Sequence, residues 1–442
     1  MKTIKVETPI YDSTSGIASV VLSVSKEENA TLSIDFKTVL PFANLVDNDV
    51  LDFFIITSSV YGIDRFVNRK RNSVDGWSRE IKVSFPVSDV NKWFSVQSKL
   101  QEFLSFLTGD YWQVEFHESK FIFPKGDLDV RYSKTFSQVN LFSGGLDSLI
   151  GALDFLKSKP TEHFLLVSHY DTQMGGPKKD QRDLIEKLNT FYPGQFVNLP
   201  SLKVALEETT EIRESTFRSR SILFLGIAVL IAKAKNVSKI KVPENGTVSL
   251  NYPLSASRRS SCSTRTTHPF VIDKTVSILS DLGIQMEIKN PYEFNTKGEM
   301  VHDCKDQANL LQLVEISNSC GKRGHRAHWE LGKKNATHCG ICMPCIYRQA
   351  SLQKIADKTS YGHSINTLLP FKNKKSQDVG ACLDFLGTNL TKEEIKQELI
   401  ISGIKDLAKL NKFVDVVVNT RSELEAWVKK VGNSDIKSKA GI

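Results

Sequence analysis

The pattern of apolar and polar residues changes near residue 136. Before it, apolar and polar residues alternate in short runs that are rich in β-branched side chains. Such alternation is typical of half-buried β-strands. It predicts strands at 3–7, 18–24, 32–36, 51–60, 80–85 and 111–116. One segment, 91–107, has helical spacing instead, so residues 1–130 are predicted to form a β-rich module for packing or partner docking.

From residue 136 onward, short apolar runs alternate with longer helical segments. Strands are predicted at 139–142, 163–168, 196–199, 239–242 and 286–288, with helices at 146–157, 179–191, 216–234 and 271–282. This succession predicts a doubly wound parallel sheet, in which ligands bind beyond the carboxyl ends of the strands. The α/β domain is predicted over 136–356. Residues 357–442 have amphipathic helical spacing from about 377 and are predicted to be a helical C-terminal region.

The sequence LFSGGLDSL at 141–149 joins the first predicted strand of the α/β domain to its first helix. Glycines allow close approach to the backbone, and the first N–H groups of a helix are unpaired at the positive end of its dipole. We therefore expect this loop to hold a phosphate group, through Phe142, Ser143, Gly144, Gly145, Leu146, Asp147 and Ser148. The loop lacks the Lys-Ser/Thr ending of a Walker loop and does not fit the dinucleotide fingerprint. A glycine turn in an unrelated α/β domain is the alternative.

Three of the seven cysteines follow one another in C-x2-C-x2-C order. This spacing allows thiolates to share one tetrahedral zinc ion, and Cys320 is the natural fourth ligand. The predicted zinc segment is 320–345, with the ligands Cys320, Cys339, Cys342 and Cys345. The alternative fourth ligands are His325, His328 and His338. A redox pair or an iron–sulfur cluster is a further alternative.

Composition limits the class of protein. The chain has 442 residues, 40% hydrophobic and 24% charged, which predicts two or three globular domains. Its net charge of +8 suits anionic ligands, but without a long basic run nucleic-acid binding is allowed rather than indicated. The start has no signal-peptide core, and the most apolar segment, 222–234, is too short to span a bilayer. An odd cysteine count suits a reducing compartment. These features predict a cytoplasmic protein without a membrane partner.

SGGLDS resembles the pyrophosphate-binding loop of ATP pyrophosphatases. Together with the late four-cysteine cluster, it resembles the QueC family of 7-cyano-7-deazaguanine synthases over roughly 136–356. The matching stretches are LFSGGLDSL at 141–149, FRSRSILFLGIAVLIA at 217–232, NTKGE at 295–299 and the cysteine segment ending at Arg348. The resemblance implies ATP, Mg²⁺ and Zn²⁺, and adenylation of a 7-carboxy-7-deazaguanine-like substrate for amide or nitrile formation.

The resemblance also implies roles for individual residues. Asp147 with the loop would hold pyrophosphate and magnesium, and Lys297, Arg218 and Arg220 would counter phosphate charge. For each of these three cations, and most of all for Lys297, an ordinary surface charge is the alternative. Glu244 and Asn245 are candidates for the purine edge, with a simple Asn-Gly turn as the alternative. Arg258 and Arg265 lie in the long polar segment 244–269, which is either a cap over an anionic ligand or a solvated loop.

The chain departs from the family in its added N-terminal module, its helical tail and the longer Cys320–Cys339 spacing. In these respects it resembles the QatC-type members of bacterial anti-phage defence operons, which implies protein partners from the same operon. The activated deazaguanine would then be converted to an amide or nitrile, or conjugated to an amine of a partner protein. Two further hypotheses are a tRNA-modifying enzyme and a non-catalytic nucleotide-sensing scaffold.

Overall fold

A computed structural model describes residues 1–442 except 125, 128, 174–175, 216, 253–264, 266, 324–328 and 368–376. The strands are β1 (Lys2–Val6), β2 (Ile10–Asp12), β3 (Ile17–Ser23), β4 (Asn29–Asp35), β5 (Glu80–Val87), β6 (Tyr111–Glu118), β7 (Gln138–Leu141), β8 (Phe164–Val167), β9 (His169–Tyr170), β10 (Phe196–Asn198), β11 (Leu202–Thr209), β12 (Lys239–Lys241) and β13 (Glu287–Lys289). The helices are α1 (Phe36–Ala43), α2 (Asn48–Phe66), α3 (Arg69–Asn72), α4 (Val90–Phe94), α5 (Gln97–Thr108), α6 (Leu146–Ser158), α7 (Pro177–Phe191), α8 (Arg220–Ala234), α9 (Gly246–Leu250), α10 (Pro269–Asp281), α11 (Lys297–Asp303), α12 (Gln307–Leu313), α13 (Met343–Ser351), α14 (Gln377–Gly387), α15 (Lys392–Ile401), α16 (Leu410–Val431) and α17 (Ser434–Lys439).

The five strands of the second sheet are all parallel, in the order β10-β8-β7-β12-β13. This confirms the predicted doubly wound α/β fold. Strand order reverses between β7 and β12, and in such sheets the crevice at this switch point is where ligands bind. The glycine loop follows β7 and the turn at Glu244 follows β12. The two segments therefore lie on either side of the crevice.

The N-terminal residues form most of a mixed eight-stranded sheet in the order β6-β5-β1-β3-β4-β11-β9, with β2 paired to β3. The prediction of a strand at 51–60 is wrong, because these residues lie in the middle of α2. Nearly every residue of this helix is buried. A short run that is apolar on all sides has no periodicity that distinguishes a buried helix from a buried strand. The N-terminal region therefore has more helix than predicted.

The eight-stranded sheet continues into the predicted α/β domain. Strand β11, which has no counterpart among the predicted strands, pairs antiparallel with β4 and parallel with β9. Helix α2 also packs against α8 so closely that a Cβ at Gly226 would overlap Thr57 Oγ1. The N-terminal strands, α2 and α8 thus belong to one hydrophobic core.

A buried ion cluster anchors the start of α8 to the N-terminal region. Asp64 accepts hydrogen bonds from the backbone N–H and the hydroxyl of Ser219, at 3.1 and 2.9 Å. Arg79 pairs with both Asp64 and Asp110, and Arg69 completes the cluster. Burial raises the pKa of Asp64, but the two guanidinium groups outweigh it and lower the pKa to about 2. The carboxylate is therefore charged and held in place.

The C-terminal helices form a second core with the cysteine segment, in which α16 is the central element. Helix α16 packs against α9, α11 and α13 of the preceding region. Among the described helices, none is both long enough and apolar enough to cross a membrane. The C-terminal residues form α14 to α17, and α16 contacts the elements that flank the crevice.

Candidate nucleotide site and metal centre

The glycine loop begins where β7 ends and turns directly into α6. Gly144 has φ +84°, a left-handed conformation that favours glycine. Ser143 Oγ accepts from the Gly145 N–H at 3.3 Å and lies 3.3 Å from Ser148 Oγ. A Cβ at Gly145 would lie 3.3 Å from the hydroxyl of Ser319. The loop is therefore a compact cradle of hydroxyls and amides at the start of a 13-residue helix.

Two residues before the cysteine segment close this cradle. The Asn318 N–H donates to the Gly144 carbonyl at 2.9 Å, and Ser319 Oγ accepts from the Leu146 N–H at 3.3 Å. On the other side, Gln181 Nε2 lies 3.3 Å from the Ser143 carbonyl. A serine hydroxyl can rotate to donate as well as accept, so both loop hydroxyls suit a phosphate oxygen.

Asp147 is the centre of a buried polar cluster at the start of α6. Its Oδ1 forms an ion pair with Lys297, and its Oδ2 accepts from Asn245 Nδ2 at 2.7 Å. The structure thus brings three predicted site residues from distant parts of the chain together in the crevice. Glu244 is the fourth member and is hydrogen-bonded to Asp147.

The charges in this cluster depend on one another. Burial raises the pKa of Asp147, but Lys297 and the hydrogen bonds from its other neighbours lower it to about 2, so this group is a carboxylate. Burial and the negative charge of Asp147 raise the pKa of Glu244 well above its ordinary value. The pKa values of the two carboxyl groups thus move in opposite directions, and Asp147 is the charged partner of Lys297.

The polar atoms of Asn245 are engaged within the protein. Its Oδ1 accepts from the Val248 N–H at 3.0 Å, which caps α9, while its Nδ2 donates to Asp147. This arrangement does not support the predicted role of Asn245 at a purine edge. It agrees with the alternative of an Asn-Gly turn, whose asparagine also orients Asp147.

Lys297 is held by the first turn of α11. Thr296 and Glu299 form a capping box at this helix start. Glu423 from α16 accepts from the Thr296 hydroxyl and, at 3.2 Å, from the Gly298 N–H. A Cβ at Gly298 would overlap the Glu423 carboxylate. The C-terminal region thus contributes directly to the position of Lys297.

The structure places Arg218 and Arg265 against the N-terminal region. The Arg218 guanidinium lies 4.3 Å above the Trp77 ring and donates to the Thr108 carbonyl at 3.4 Å. Arg265 Nη1 donates to the Phe106 carbonyl at 3.0 Å. These positions do not support their predicted roles at phosphate or substrate. Arg258 lies outside the described residues.

Arg220, the fourth predicted arginine, lies closer to the crevice at the first position of α8. Its Nε and Nη2 lie 3.4 Å from Nδ1 and the carbonyl oxygen of His169, respectively. The same carbonyl accepts from Gln181 Nε2 at 3.1 Å, and Gln181 also contacts the glycine loop. Arg220 is therefore beside the loop and connected to it through one side chain.

The four predicted metal ligands lie together, although they come from two segments. The sulfur atoms of Cys320, Cys339, Cys342 and Cys345 all lie within 4.8 Å of one another. The Cys339 and Cys345 sulfurs are 3.8 Å apart, near the spacing of about 3.8 Å that tetrahedral Zn–S bonds of about 2.3 Å require. This geometry fits a closed structural zinc site.

Backbone N–H groups support the cysteine cluster. The Cys339 N–H donates to Cys320 Sγ, and the Cys342 N–H to Cys339 Sγ, both at 3.2 Å. Gly340 has φ +85°, which the tight turn between these ligands requires. His338 is not a member of the cluster, and the candidate histidine ligands His325 and His328 lie outside the described residues.

The sequence prediction missed Ser319, Gln181 and Glu423. Ser319 directly precedes the predicted zinc ligand Cys320, and this position was the feature of the sequence that could have indicated it. Gln181 lies on a polar helix, and Glu423 lies 125 residues from its backbone partner in α11. Neither has a local sequence pattern that would connect it with the site.

A parallel sheet with a phosphate-type loop at its switch point, followed by a four-cysteine cluster, defines a nucleotide-binding α/β domain with a metal-binding segment. Residues 137–356 match the model of the family described as queuosine biosynthesis protein QueC. These residues form a QueC-like domain, which indicates an ATP-using, ligase-type enzyme. No curated protein and no solved structure matched the chain.

Proposed function

We propose that this protein is an ATP-dependent ligase that adenylates the carboxylate of a 7-carboxy-7-deazaguanine-like substrate. The observation that carries the proposal is the glycine loop at the switch point of a QueC-like domain, with Lys297 buried beside it on Asp147. Amides, hydroxyls and a buried ammonium are the groups that stabilise a pyrophosphate leaving group.

The proposed reaction has two steps. A carboxylate oxygen attacks the α-phosphorus of ATP, which forms an acyl-adenylate and releases pyrophosphate. An amine nitrogen then attacks the acyl carbon, AMP leaves with the bonding electrons, and the amine loses a proton. The loop N–H groups with Ser143 and Ser148 would hold the pyrophosphate portion, and Lys297 would contribute positive charge in a buried site where it is poorly screened.

Magnesium would supply further charge neutralisation on the phosphates. Both oxygens of Asp147 are already engaged, by Lys297 and by Asn245. Magnesium commonly takes most of its ligands from substrate phosphates and water. We therefore do not assign Asp147 as a magnesium ligand. Its main role in the proposal is to hold Lys297.

The test is AMP formation from ATP and 7-carboxy-7-deazaguanine. Asp147→Asn removes the charge that holds Lys297, and we expect the rate to fall about a hundredfold or more, as for the loss of a preorganised electrostatic group. Asp183→Asn on the surface of α7, where Asp183 pairs with Arg182, is the control. A wild-type rate in Asp147→Asn with zinc content unchanged would contradict the proposed role. ATP binding without AMP formation in the wild type would favour the scaffold alternative.

The acceptor amine is either ammonia or an amine of a partner protein from an anti-phage defence operon. Ammonia leads to an amide, and a second ATP would then activate the amide oxygen for its loss as water to give a nitrile. The second possibility is supported by α16 and the N-terminal region, which lie outside the QueC-like match and pack beside the crevice. The two acceptors are distinguished by incubating candidate partner proteins with the enzyme, ATP and 7-carboxy-7-deazaguanine and then measuring the intact masses of these proteins. An unshifted partner mass with a free nitrile product would reject conjugation, and tRNA that does not bind at low salt would reject tRNA modification.

A further inference from the structure

A cluster of charged and aromatic side chains lies where the N-terminal region meets the ends of β8 and β9. Helix α2 contributes Tyr61 and Arg65, the segment after β9 contributes Asp171, and α8 begins with Arg220. Tyr61 Oη donates to Asp171 Oδ2 at 2.7 Å. Asp171, Arg220 and Arg65 are the charged groups that act most strongly on Tyr61. Two cations and one carboxylate are therefore brought together.

In the described part of the chain, the buried Arg65 guanidinium has fewer hydrogen-bond partners than it has N–H groups. Its side chain is 4% exposed, and its Nη2 donates to Gln173 Oε1 at 2.7 Å. The guanidinium carbon lies 4.1 Å from the centre of the Phe217 ring. Within the described part of the chain, Arg65 Nε and Nη1 have no hydrogen-bond partner. Burying unpaired N–H groups of a cation costs free energy, and a bound anion would remove that cost.

The neighbouring groups do not neutralise the second cation. Among the described residues, Arg220 makes 3.4 Å contacts to His169, and its guanidinium carbon lies 5.1 Å from the centre of the Phe224 ring. Burial, and then the charge of Arg220, lower the pKa of His169 to about 3, so this imidazole is neutral at pH 7. Asp171 already accepts from Tyr61 and, at 2.8 Å, from the Gln173 N–H. One positive charge of the cluster is left in excess.

The cluster is adjacent to the glycine loop. Gln181 Nε2 contacts the carbonyl oxygens of both Ser143 and His169, at 3.3 and 3.1 Å. Arg220, Gln173 and Phe217 are only partly buried, so these three members of the cluster reach the surface, whereas Arg65 lies beneath them. An anion bound there would lie at the same edge of the crevice as the predicted phosphate loop.

We propose that Arg65 and Arg220 form an anion subsite that binds an oxyanion of the substrates, either a phosphate group of ATP or the carboxylate of the acid. The choice of these two ligands rests on the proposed function. The subsite itself rests on the buried Arg65 guanidinium, whose Nε and Nη1 have no hydrogen-bond partner among the described residues, and on the excess positive charge. Arg65 comes from the N-terminal region, so this region would supply a binding residue to the QueC-like domain.

The test uses the full-length protein with three probes: ATP with Mg²⁺, pyrophosphate with Mg²⁺, and 7-carboxy-7-deazaguanine. Arg65→Met removes the charge, and Arg71→Met, at an exposed arginine that pairs with Glu211 at 3.0 Å, is the matched control. We expect Arg65→Met to weaken at least one probe roughly tenfold to a hundredfold in calorimetric titration, the loss expected for a charge-assisted hydrogen bond. Weaker ATP and pyrophosphate binding identifies a phosphate ligand, and a loss confined to the acid identifies a carboxylate.

Thermal melting separates binding from a structural role. Because a buried, incompletely paired charge is replaced, unliganded Arg65→Met should melt at the wild-type temperature or above it. A lower melting temperature with unchanged affinity for all three probes would overturn the proposal. Should Arg65→Met fail to fold, the same titrations are made with Arg220→Met, and wild-type affinities there would also overturn it. Wild-type protein that binds the probes but forms no AMP would reject the proposed reaction and leave the subsite standing.

Discussion

Acidification should destabilise this protein through two buried histidines, His169 and His268. Both are almost completely buried, at 0% and 1% exposed. His169 Nε2 lies 3.1 Å from the Val204 carbonyl, which fits a neutral ring with its hydrogen on Nε2. Burial, with the charge of Arg220 or Arg265 nearby, lowers the pKa of each histidine to about 3.

The direction and the size of this change in stability with pH follow from the protons that the folded and unfolded states bind. A histidine in the unfolded chain takes up a proton below pH ~6.5, whereas these two resist it until about pH 3 in the folded state. Stability is therefore lost as pH falls from 6.5 towards 3. At pH 5 each histidine costs about 2 kcal/mol, since one pH unit corresponds to about 1.36 kcal/mol. Carboxyl groups with raised pKa, such as Asp52 and Glu423, act in the opposite direction, so a comparison with a variant is needed.

The assay is urea denaturation at pH 7 and pH 5 of wild type, His169→Gln and a control, His302→Gln. Glutamine retains an N–H donor for the Val204 carbonyl, and His302 is an exposed surface residue. We expect the wild type and the control to lose about 2 kcal/mol more than His169→Gln between the two pH values. An equal loss in all three proteins would refute a neutral, buried His169.

Three further predictions concern packing and metal. Cys342→Ser should lower the amount of bound zinc, measured by elemental analysis. It should also weaken ATP binding, because the segment that begins at Cys320 contacts the glycine loop through the preceding Ser319. Full ATP affinity in a zinc-free variant would contradict this coupling. Glu423→Ala should reduce stability by about 1–3 kcal/mol and accelerate amide exchange at the start of α11, whereas Glu425→Ala on the exposed face should leave both unchanged. Gly226→Ala should lower the free energy of unfolding, measured with denaturant, by about 1–3 kcal/mol, because the new methyl group overlaps Thr57. Adding Thr57→Ala to this variant should restore part of the lost stability. An undiminished loss in the double variant would contradict the observed packing of α2 on α8.

The parts of the fold that were predicted correctly have local signals. A strand, a glycine turn and an amphipathic helix follow one another within 141–149, and the C-x2-C-x2-C spacing lies within seven residues. The five parallel strands were predicted from the alternation of strand and helix. Each of these patterns depends on neighbours in sequence, so it can be recognised without knowing which distant segments meet.

The errors in the predicted secondary structure arise where contacts between distant segments determine the conformation. The apolar run 51–60 is a helix because it is enclosed by the N-terminal sheet and α8, and nothing within the run distinguishes that environment from the interior of a sheet. Strand β11 exists because it pairs with β4, about 170 residues earlier. The contact of Arg218 with the Trp77 ring likewise joins distant segments, and no local pattern indicates it.

The candidate site was predictable only in its central residues. The strand order placed the glycine loop and Glu244 in one crevice, and the structure adds that Asp147 and Lys297, 150 residues apart, are paired there. Some of the groups that hold this pair lie within the QueC-like match, namely Asn245, Thr296 and Glu299, and others come from outside it. Glu423 of α16 fixes the start of α11, and Thr420 of the same helix contacts Thr247 beside the Asn245 turn.

The N-terminal region has a corresponding contact on the other side of the crevice, where α2 brings Tyr61 and Arg65 to Asp171. The crevice is thus enclosed by elements from both ends of the chain, although its phosphate loop and cysteine cluster belong to residues 137–356. A site built in this way can retain the ATP chemistry of its central domain while the flanking regions determine which substrate and acceptor reach it. This is the physical reason to seek the specificity of this protein in α2 and α16 rather than in the loop alone.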